Sequence, residues 1–236
     1  MKIFAADTSA KSASVALVEN GVIKGEYFIN TMLTHSETLM PMVDLLFKSV
    51  RVQPKDIDCF AVNCGPGSFT GLRIGIAAVK GMTFAFDKPC AAVSTLESMA
   101  YNLTAENAVV CAVMDARCSQ VYNALFDISG NEPLRLCEDR ALQIDQLISE
   151  LRNIDKRIIL VGDGANLCFE RMSQELENIE LSNENVRYQR ASSTAFAAEK
   201  LFEKGEILTS SQLMPRYLRL PQAQRELLAK KSLNNK

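Results

Sequence analysis

"CGPGSFTGLRIGIAAVKGMTFAF", Cys64 to Phe86, opens as a glycine loop of the kind that grips phosphate and runs on as an almost wholly apolar helix. Gly65, Pro66 and Gly67 stand between the strand-like run "DCFAVNCG" and a helix whose first turn holds Ser68 and Thr70. Backbone N–H groups at such a join can meet an anion. The spacing is not that of a Walker loop, because no lysine stands in the required place. The same residues also make an ordinary tight turn. Two more small-residue turns directly follow strand-like runs, "DTSAKS" at 7–12 and "VGDGA" at 161–165. Asp7, Thr8, Ser9, Gly65, Pro66, Gly67, Gly162 and Gly164 therefore form a candidate nucleotide-binding set. Asp7 would hold a magnesium-bound water and "VGDGA" would approach an adenosine, while Asp163 would repel a nearby phosphate.

The helix after the loop is apolar on more than one side. Phe69, Leu72, Ile76, Val79, Met82 and Phe86 make one face, Ile74, Ala77, Ala78, Phe84 and Ala85 fill much of the rest, and Arg73 and Lys80 form a narrow polar stripe. Gly71 and Gly75, one turn apart, leave room for another backbone. Thr34 and Glu37 have the spacing of a capping box, which predicts a second such helix over 35–50, bent early by Pro41. Leu39, Met40, Met42, Val43, Leu45, Leu46, Phe47 and Val50 spread over more than half its wheel, leaving Asp44, Lys48 and Arg51 on the wet side. A surface helix needs an apolar stripe of only about 100°. Either each helix is covered on both faces inside its own domain, or a partner covers one face.

Working outward, "MKIFAADTS", "SASVALVEN" and "VIKGEYFI" read as three antiparallel strands, the last two joined by an Asn20-Gly21 hairpin turn. "CAAVST" reads as a strand before a helix over "LESMAYNL". The second half restarts with "VVCAVMDARCSQVYNALFDISG": Asp115 precedes Ala124-Leu125 at the spacing that separates Asp7 from Ala16-Leu17, a faint internal duplication. A helix over 144–151, the strand "RIILVGDGA", a helix over 166–177 and an irregular link "LSNENVRYQ" follow. The helix "STAFAAEKLFEKG" is expected to be capped by Ser192 or Ser193 and stopped by Gly205, and the tail to be helical only in "AQRELLAKK". The pattern predicts an α/β fold of two duplicated lobes, 1–104 and 105–215, with mixed sheets flanked by helices, and a basic tail from 216 to 236.

The 47% hydrophobic and 23% charged fractions are those of a globular chain, and a net charge of -2 gives no general attraction to a polyanion. A stand-alone nucleic-acid binder is not expected on that ground. Arg73 and Lys80 interrupt the longest apolar run, and "MKIFAADTSA" is too soon charged for a signal peptide, so no membrane contact and a cytoplasmic location are expected. Seven cysteines without a C-x-x-C pair read as small buried hydrophobes in a reducing compartment. A single histidine, His35, leaves zinc and Ser-His-Asp chemistry little to work with.

"ADTSAKSASVAL", "HSETLMP", "DCFAVNCGPGSFTGLRIGIAAVKG", "VSTLESMA" and "PRYLR" resemble the TsaB (YeaZ) family over nearly the whole first half. Between Glu132 and Glu206 mainly "VGDGA" agrees. The resemblance implies an actin-like ATPase (ASKHA, RNase H-like) fold, shared with sugar kinases. It also implies a non-catalytic role beside TsaD in placing threonylcarbamoyl on N6 of adenosine 37 in tRNA. TsaD carries two metal-binding histidines at i and i+4; Thr95 and Met99 stand in their places here, and the later aspartate falls at about Ser193. A hydroxyl and a thioether are poor ligands for a divalent metal, so no metal is expected.

By the same resemblance, the two apolar helices form the partner interface, with His35, Leu39, Met42, Val43, Leu46, Phe69, Leu72, Arg73, Ile76, Val79 and Met82. They would pair with TsaD, or with a second copy of the chain in isolation. The TsaE ATPase would dock on that assembly, and tRNA would be met only through it. No cofactor is required, and the three turns leave weak nucleotide binding open. Arg216, Arg219, Arg225, Lys230 and Lys231 make a basic tail that is either solvated or in contact with tRNA or TsaE. The alternative is a small-molecule kinase or ATPase, which needs a base and a complete metal-phosphate cradle. A protease finds no nucleophile with a paired histidine.

Overall fold

A computed structural model describes residues 1–31 and 33–219. β1 (Lys2–Asp7), β2 (Ala13–Glu19) and β3 (Val22–Ile29) form an antiparallel meander. Asn20 and Gly21 turn β2 into β3 in the left-handed region, φ 50° and 73°, as a two-residue hairpin requires. Helix α1 (His35–Val50) crosses back so that β4 (Cys59–Gly65) lies parallel to β1, and α2 (Phe69–Phe86) does the same for β5 (Cys90–Ser94). The sheet order is β3-β2-β1-β4-β5. β4 and β5 are buried at every residue, as parallel strands covered on both faces must be. Thr34 N–H and Oγ1 both donate to Glu37 Oε2, at 3.1 and 2.7 Å, and α1 continues through Pro41.

After α3 (Thr95–Ala100) the pattern repeats. β6 (Ala108–Asp115) pairs antiparallel with β7 (Gln120–Asp127), on whose far side lie β8 (Leu134–Arg135) and β9 (Arg140–Gln143). α4 (Ile144–Leu151) leads to β10 (Arg157–Val161), parallel to β6, and α5 (Ala165–Met172) to β11 (Ile179–Leu181), parallel to β10. Read from its other end, the second order β8-β7-β6-β10-β11 matches the first, with β9 as an added sixth strand on β7. Asp7 and Asp115 each end the first strand of their half. The faint duplication in sequence is thus a repeat of topology.

The strands β8, β9 and β11 are not expected from the sequence; β11 ends where the irregular link begins, and the short α6 (Glu184–Arg187) lies within it. α5 ends at Met172 rather than near 177. α7 (Ala191–Glu203) is capped at Arg190 instead of by a serine. Ser192 Oγ donates to Glu26 Oε1 at 2.9 Å and Ser193 Oγ to Asn102 Oδ1 at 2.6 Å, so both hydroxyls tie the helix to other elements. Gly205 follows the helix end with φ 74°. The helix expected in "AQRELLAKK", with Arg225, Lys230 and Lys231, lies outside the described residues.

α1 and α2 cover one face of the first sheet, with the Phe4 ring in contact with both Phe47 and Phe60. α7 covers the opposite face, packing on Ile3, Ala5, Ala61 and Val93. α3 packs Leu96 and Met99 on β6 and β7, and α4 and α5 cover the other side of the second sheet. A division at 104/105 therefore does not follow the packing: α7, late in the chain, belongs to the first sheet, and α3, early in it, covers the second. A boundary at 215/216 fails too, because Arg216 N–H bonds Cys64 O at 2.7 Å.

Candidate functional site

Two of the three candidate turns meet. Ser68 N–H donates to Ser9 O at 2.7 Å, and Thr8 Oγ1 donates to Gly71 O at 2.7 Å, so the "DTSAKS" turn is laced to the glycine loop and the start of α2. A Cβ on Gly67 would stand 2.4 Å from Ser9 O, and one on Gly75 2.4 Å from Thr8 Oγ1. The close-approaching backbone that Gly71 and Gly75 make room for is the chain's own. The third turn lies elsewhere: Gly162 and Gly164 pack on Val113, Met114 and Asp115 at the end of β6.

Asp7 is 1% exposed, and its oxygens are taken internally. Oδ1 accepts from Ser9 N–H and Oγ at 2.7 Å each, and Oδ2 from Asn63 Nδ2. Asn63 in turn donates to Ser98 Oγ and accepts from Thr194 Oγ1, both at 3.2 Å. Burial pushes the Asp7 carboxyl up, against the opposing pull of the Ser9 and Asn63 donors. This network joins β1, β4, α3 and α7 across the middle of the molecule. In this arrangement Asp7 is shut away from solvent, and three internal donors share its two oxygens.

A strap, Leu213–Arg219, closes the glycine loop from outside. Lys80 Nζ bonds Leu213 O at 3.2 Å, and a Cβ on Gly65 would stand 2.3 Å from Arg216 O. Tyr217 lies on Phe69 with centroids 4.5 Å apart and accepts from Arg73 Nε at 2.9 Å. Arg219 Nη1 donates to Ala116 O at 2.7 Å, in the other half. The space bounded by Pro66, Gly67, Phe69, Tyr122 and the strap has no room for a water molecule. Sequence reasoning missed this closure; "PRYLR" was visible, but nothing local says where it docks.

Thr95 and Met99 are fully buried, Met99 in the core that α3 forms with Ala10, β6 and β7, and Ser193 is tied to Asn102. Two hydroxyls and a thioether are a weak donor set for a divalent metal. Among the described residues no group of three or more His, Cys, Asp or Glu side chains gathers. His35 Nε2 donates to Ala10 O at 2.7 Å, which pins the start of α1 to the "DTSAKS" turn.

The apolar helices are covered on one side only. Leu39, Met42, Val43, Leu46, Leu72, Ile76 and Val79, expected at a partner interface, are all in the core of the first half. His35, Phe69 and Arg73 are likewise engaged within the chain, and Met82 is partly buried. The outward positions are Met40 and Leu45 on α1, 50% and 49% exposed, and Ala77, Gly81, Phe84 and Ala85 on α2, with Phe84 82% exposed. A groove of roughly 530 Å³ lies along α1 and the link that follows it, lined by Met40, Val43, Phe47, Lys48 and Val52, with Met82 as its contact from α2. By length and composition α2 could cross a bilayer; here a third of it is buried, with Leu72, Ile76 and Val79 in the first half's core.

The family model described as TsaD, tRNA N6-adenosine threonylcarbamoyltransferase, matches residues 30–227. The chain belongs to this family, in its TsaB (YeaZ) branch. It is 28% identical to the tRNA threonylcarbamoyladenosine biosynthesis protein TsaB of Bacillus subtilis, over 95% of this chain and 96% of that one. The solved structure of YeaZ from Pseudomonas aeruginosa superimposes with a TM-score of 0.77 at 27% identity, covering 92% of this chain and 99% of the other. The activator of the 2-hydroxyisocaproyl-CoA dehydratase from Clostridium difficile, solved with ADPNP, covers 87% of this chain and 97% of its own, with a TM-score of 0.51 at 10% identity. That likeness is one of fold alone. The two matched sheets are those of the actin-like ATPase architecture. The YeaZ structure therefore shares the chain's frame of two sheets.

Proposed function

We propose that this chain is a non-catalytic subunit in the formation of threonylcarbamoyladenosine on tRNA, and that it offers the outer sides of α1 and α2 to a catalytic subunit of the TsaD type. The pathway follows from the TsaB branch of the family. The observation that carries the subunit role is the bare apolar face: Met40, Leu45 and Phe84 remain in water although α1 and α2 have already filled the core of their own half. Burying apolar surface yields about 25 cal/mol per Å², so such a face favours a partner. Ala77, Gly81 and Ala85 recur every four residues on α2, and nothing lies within 4 Å of where a Gly81 Cβ would be. A partner helix can approach closely there. In isolation the same patch suits a second copy in two-fold pairing.

No nucleotide is required in this reading, since Ser9, Thr8 and Arg216 fill the cradle that a phosphate would enter. The kinase or ATPase alternative needs Asp7 free, and its carboxylate is committed to Ser9 and Asn63. The test is reconstitution. The purified chain alone should leave tRNA unmodified, and should restore modification when mixed with a TsaD-type subunit, a TsaE-type ATPase and threonylcarbamoyl-AMP. Met40→Glu with Phe84→Glu should abolish the mixed complex on size-exclusion chromatography. Modification by the chain alone, or an unchanged complex, would overturn the reading.

A further inference from the structure

The chain's charge is divided unevenly. Residues 214–236 carry six Lys and Arg against the single Glu226, a net +5, so the preceding 213 residues carry -7 of the total -2. The described part of that basic end is in the strap, which belongs to one acid-free segment, 207–219, and packs on another, 64–86; neither contains an aspartate or glutamate. Arg73, Arg216 and Arg219 gather there. In the second half Arg135, Arg140, Arg152, Arg157, Arg171 and Arg190 each hold a carboxylate, whereas among the described residues Arg73, Arg216 and Arg219 hold none.

The strap is fixed rather than trailing, and the guanidiniums of Arg73 and Arg219 are held in place. Tyr217 lies under the Arg73 guanidinium at 5.8 Å and accepts its Nε, Arg216 is anchored through its backbone to Cys64, and Arg219 is anchored by Nη1 to Ala116 O. Held guanidiniums lose less entropy when they meet phosphate than free side chains do. The space beneath them is closed, so they cannot converge on one small anion inside a pocket. They are spread over an outer surface, which suits the repeated charges of a polyanion.

We propose that Arg73, Arg216 and Arg219, set around Tyr217, form a contact surface for the phosphate backbone of tRNA. The chain would then contribute directly to substrate binding within the assembly. The choice of RNA rests on the pathway reading above, while the charge argument stands without the partner interface.

The test is binding of unmodified tRNA to the full chain and to its mixture with a TsaD-type subunit, over a range of salt. Arg216→Glu with Arg219→Glu is compared with Arg171→Glu with Lys204→Glu, the same change of charge placed elsewhere. The patch variant should bind at least about tenfold more weakly and lose about one unit of log-affinity slope against log salt per arginine, and the control should match the parent. Arg216→Glu alone, which leaves the Arg219–Ala116 bond intact, should lose about one unit and guards against a disturbed strap. Equal behaviour of patch variant and control, or no tRNA binding by either chain or mixture, overturns the proposal. So does release of a protein subunit by the patch variant with tRNA affinity unchanged. Failure of the mixture to form a complex, with patch-dependent tRNA binding kept by the chain, would sink the scaffold reading and leave this one standing.

Discussion

Thr8 Oγ1 donates to the Gly71 carbonyl oxygen at 2.7 Å, and the two backbones lie so close that a Cβ on Gly71 would stand 2.0 Å from Thr8 O. The obstacle is main chain and cannot rotate away. Gly71→Ala should therefore lower stability by about 2–3 kcal/mol, at the upper end of overpacking costs. Gly81, on the same helix with open space around it, is the control: Gly81→Ala should raise stability by about 0.5–1 kcal/mol. Urea midpoints of the two variants moving in the same direction would contradict this.

Leu72 and Met40 are both apolar helix residues, yet one is 1% exposed and the other 50%. Leu72→Glu should cost more than about 4 kcal/mol by burying a carboxylate, and lower soluble yield. Met40→Glu should stay within about 0.5 kcal/mol of the parent and act only on association. Thermal melting and mass measurement on each variant separate the two effects.

Asp163 is held at about 6, first by burial and then by the nearby Asp115 charge, against the pull of Gln189. Its Oδ1 has no hydrogen-bond partner among the described residues. The folded form binds this proton more tightly than the unfolded chain, so between about pH 4 and pH 6 the folded state loses stability at this group as pH rises. Asp163→Asn should remove that loss. The difference in melting temperature, variant minus parent, should grow across that window and level off above it; a flat difference would refute the assignment.

Glu26 on β3 receives Arg190 Nη2 at 2.6 Å and Nε at 3.1 Å, and Ser192 N–H and Oγ at 3.1 and 2.9 Å, all at the start of α7. Its carboxylate stands in for the missing serine cap by satisfying a first-turn N–H and a neighbouring cation together. Glu26→Ala strands these donors and should cost about 2–3 kcal/mol. Hydrogen exchange should rise first at 191–194; unchanged protection there would mean that α7 is held by packing alone.

Most elements were legible because their signals are local: Asn20-Gly21 forces a hairpin, Thr34 and Glu37 mark the start of α1, and the apolar runs of β4 and β10 have strand length. β8, β9 and β11 are two to four residues long and carry too few alternations to stand out. The faces of α1 and α2 were misjudged for a different reason. A wheel with apolar residues on two sides says that both must be covered but not which side the first sheet takes. Leu72 and Phe84 are equally apolar in sequence, and only the packing of α2 on β4 separates them. The glycines were read correctly as sites of close approach; what approaches is Thr8, Ser9 and Arg216, a relation across the chain that no short motif contains.

The strap from Leu213 to Arg219 runs from Lys80 and Cys64 in one half to Ala116 in the other, and each end is pinned by hydrogen bonds. A molecule so latched is a bracket rather than a jaw. Its halves cannot swing apart without first unfastening the strap, so any opening between them costs the hydrogen bonds at Lys80, Cys64 and Ala116.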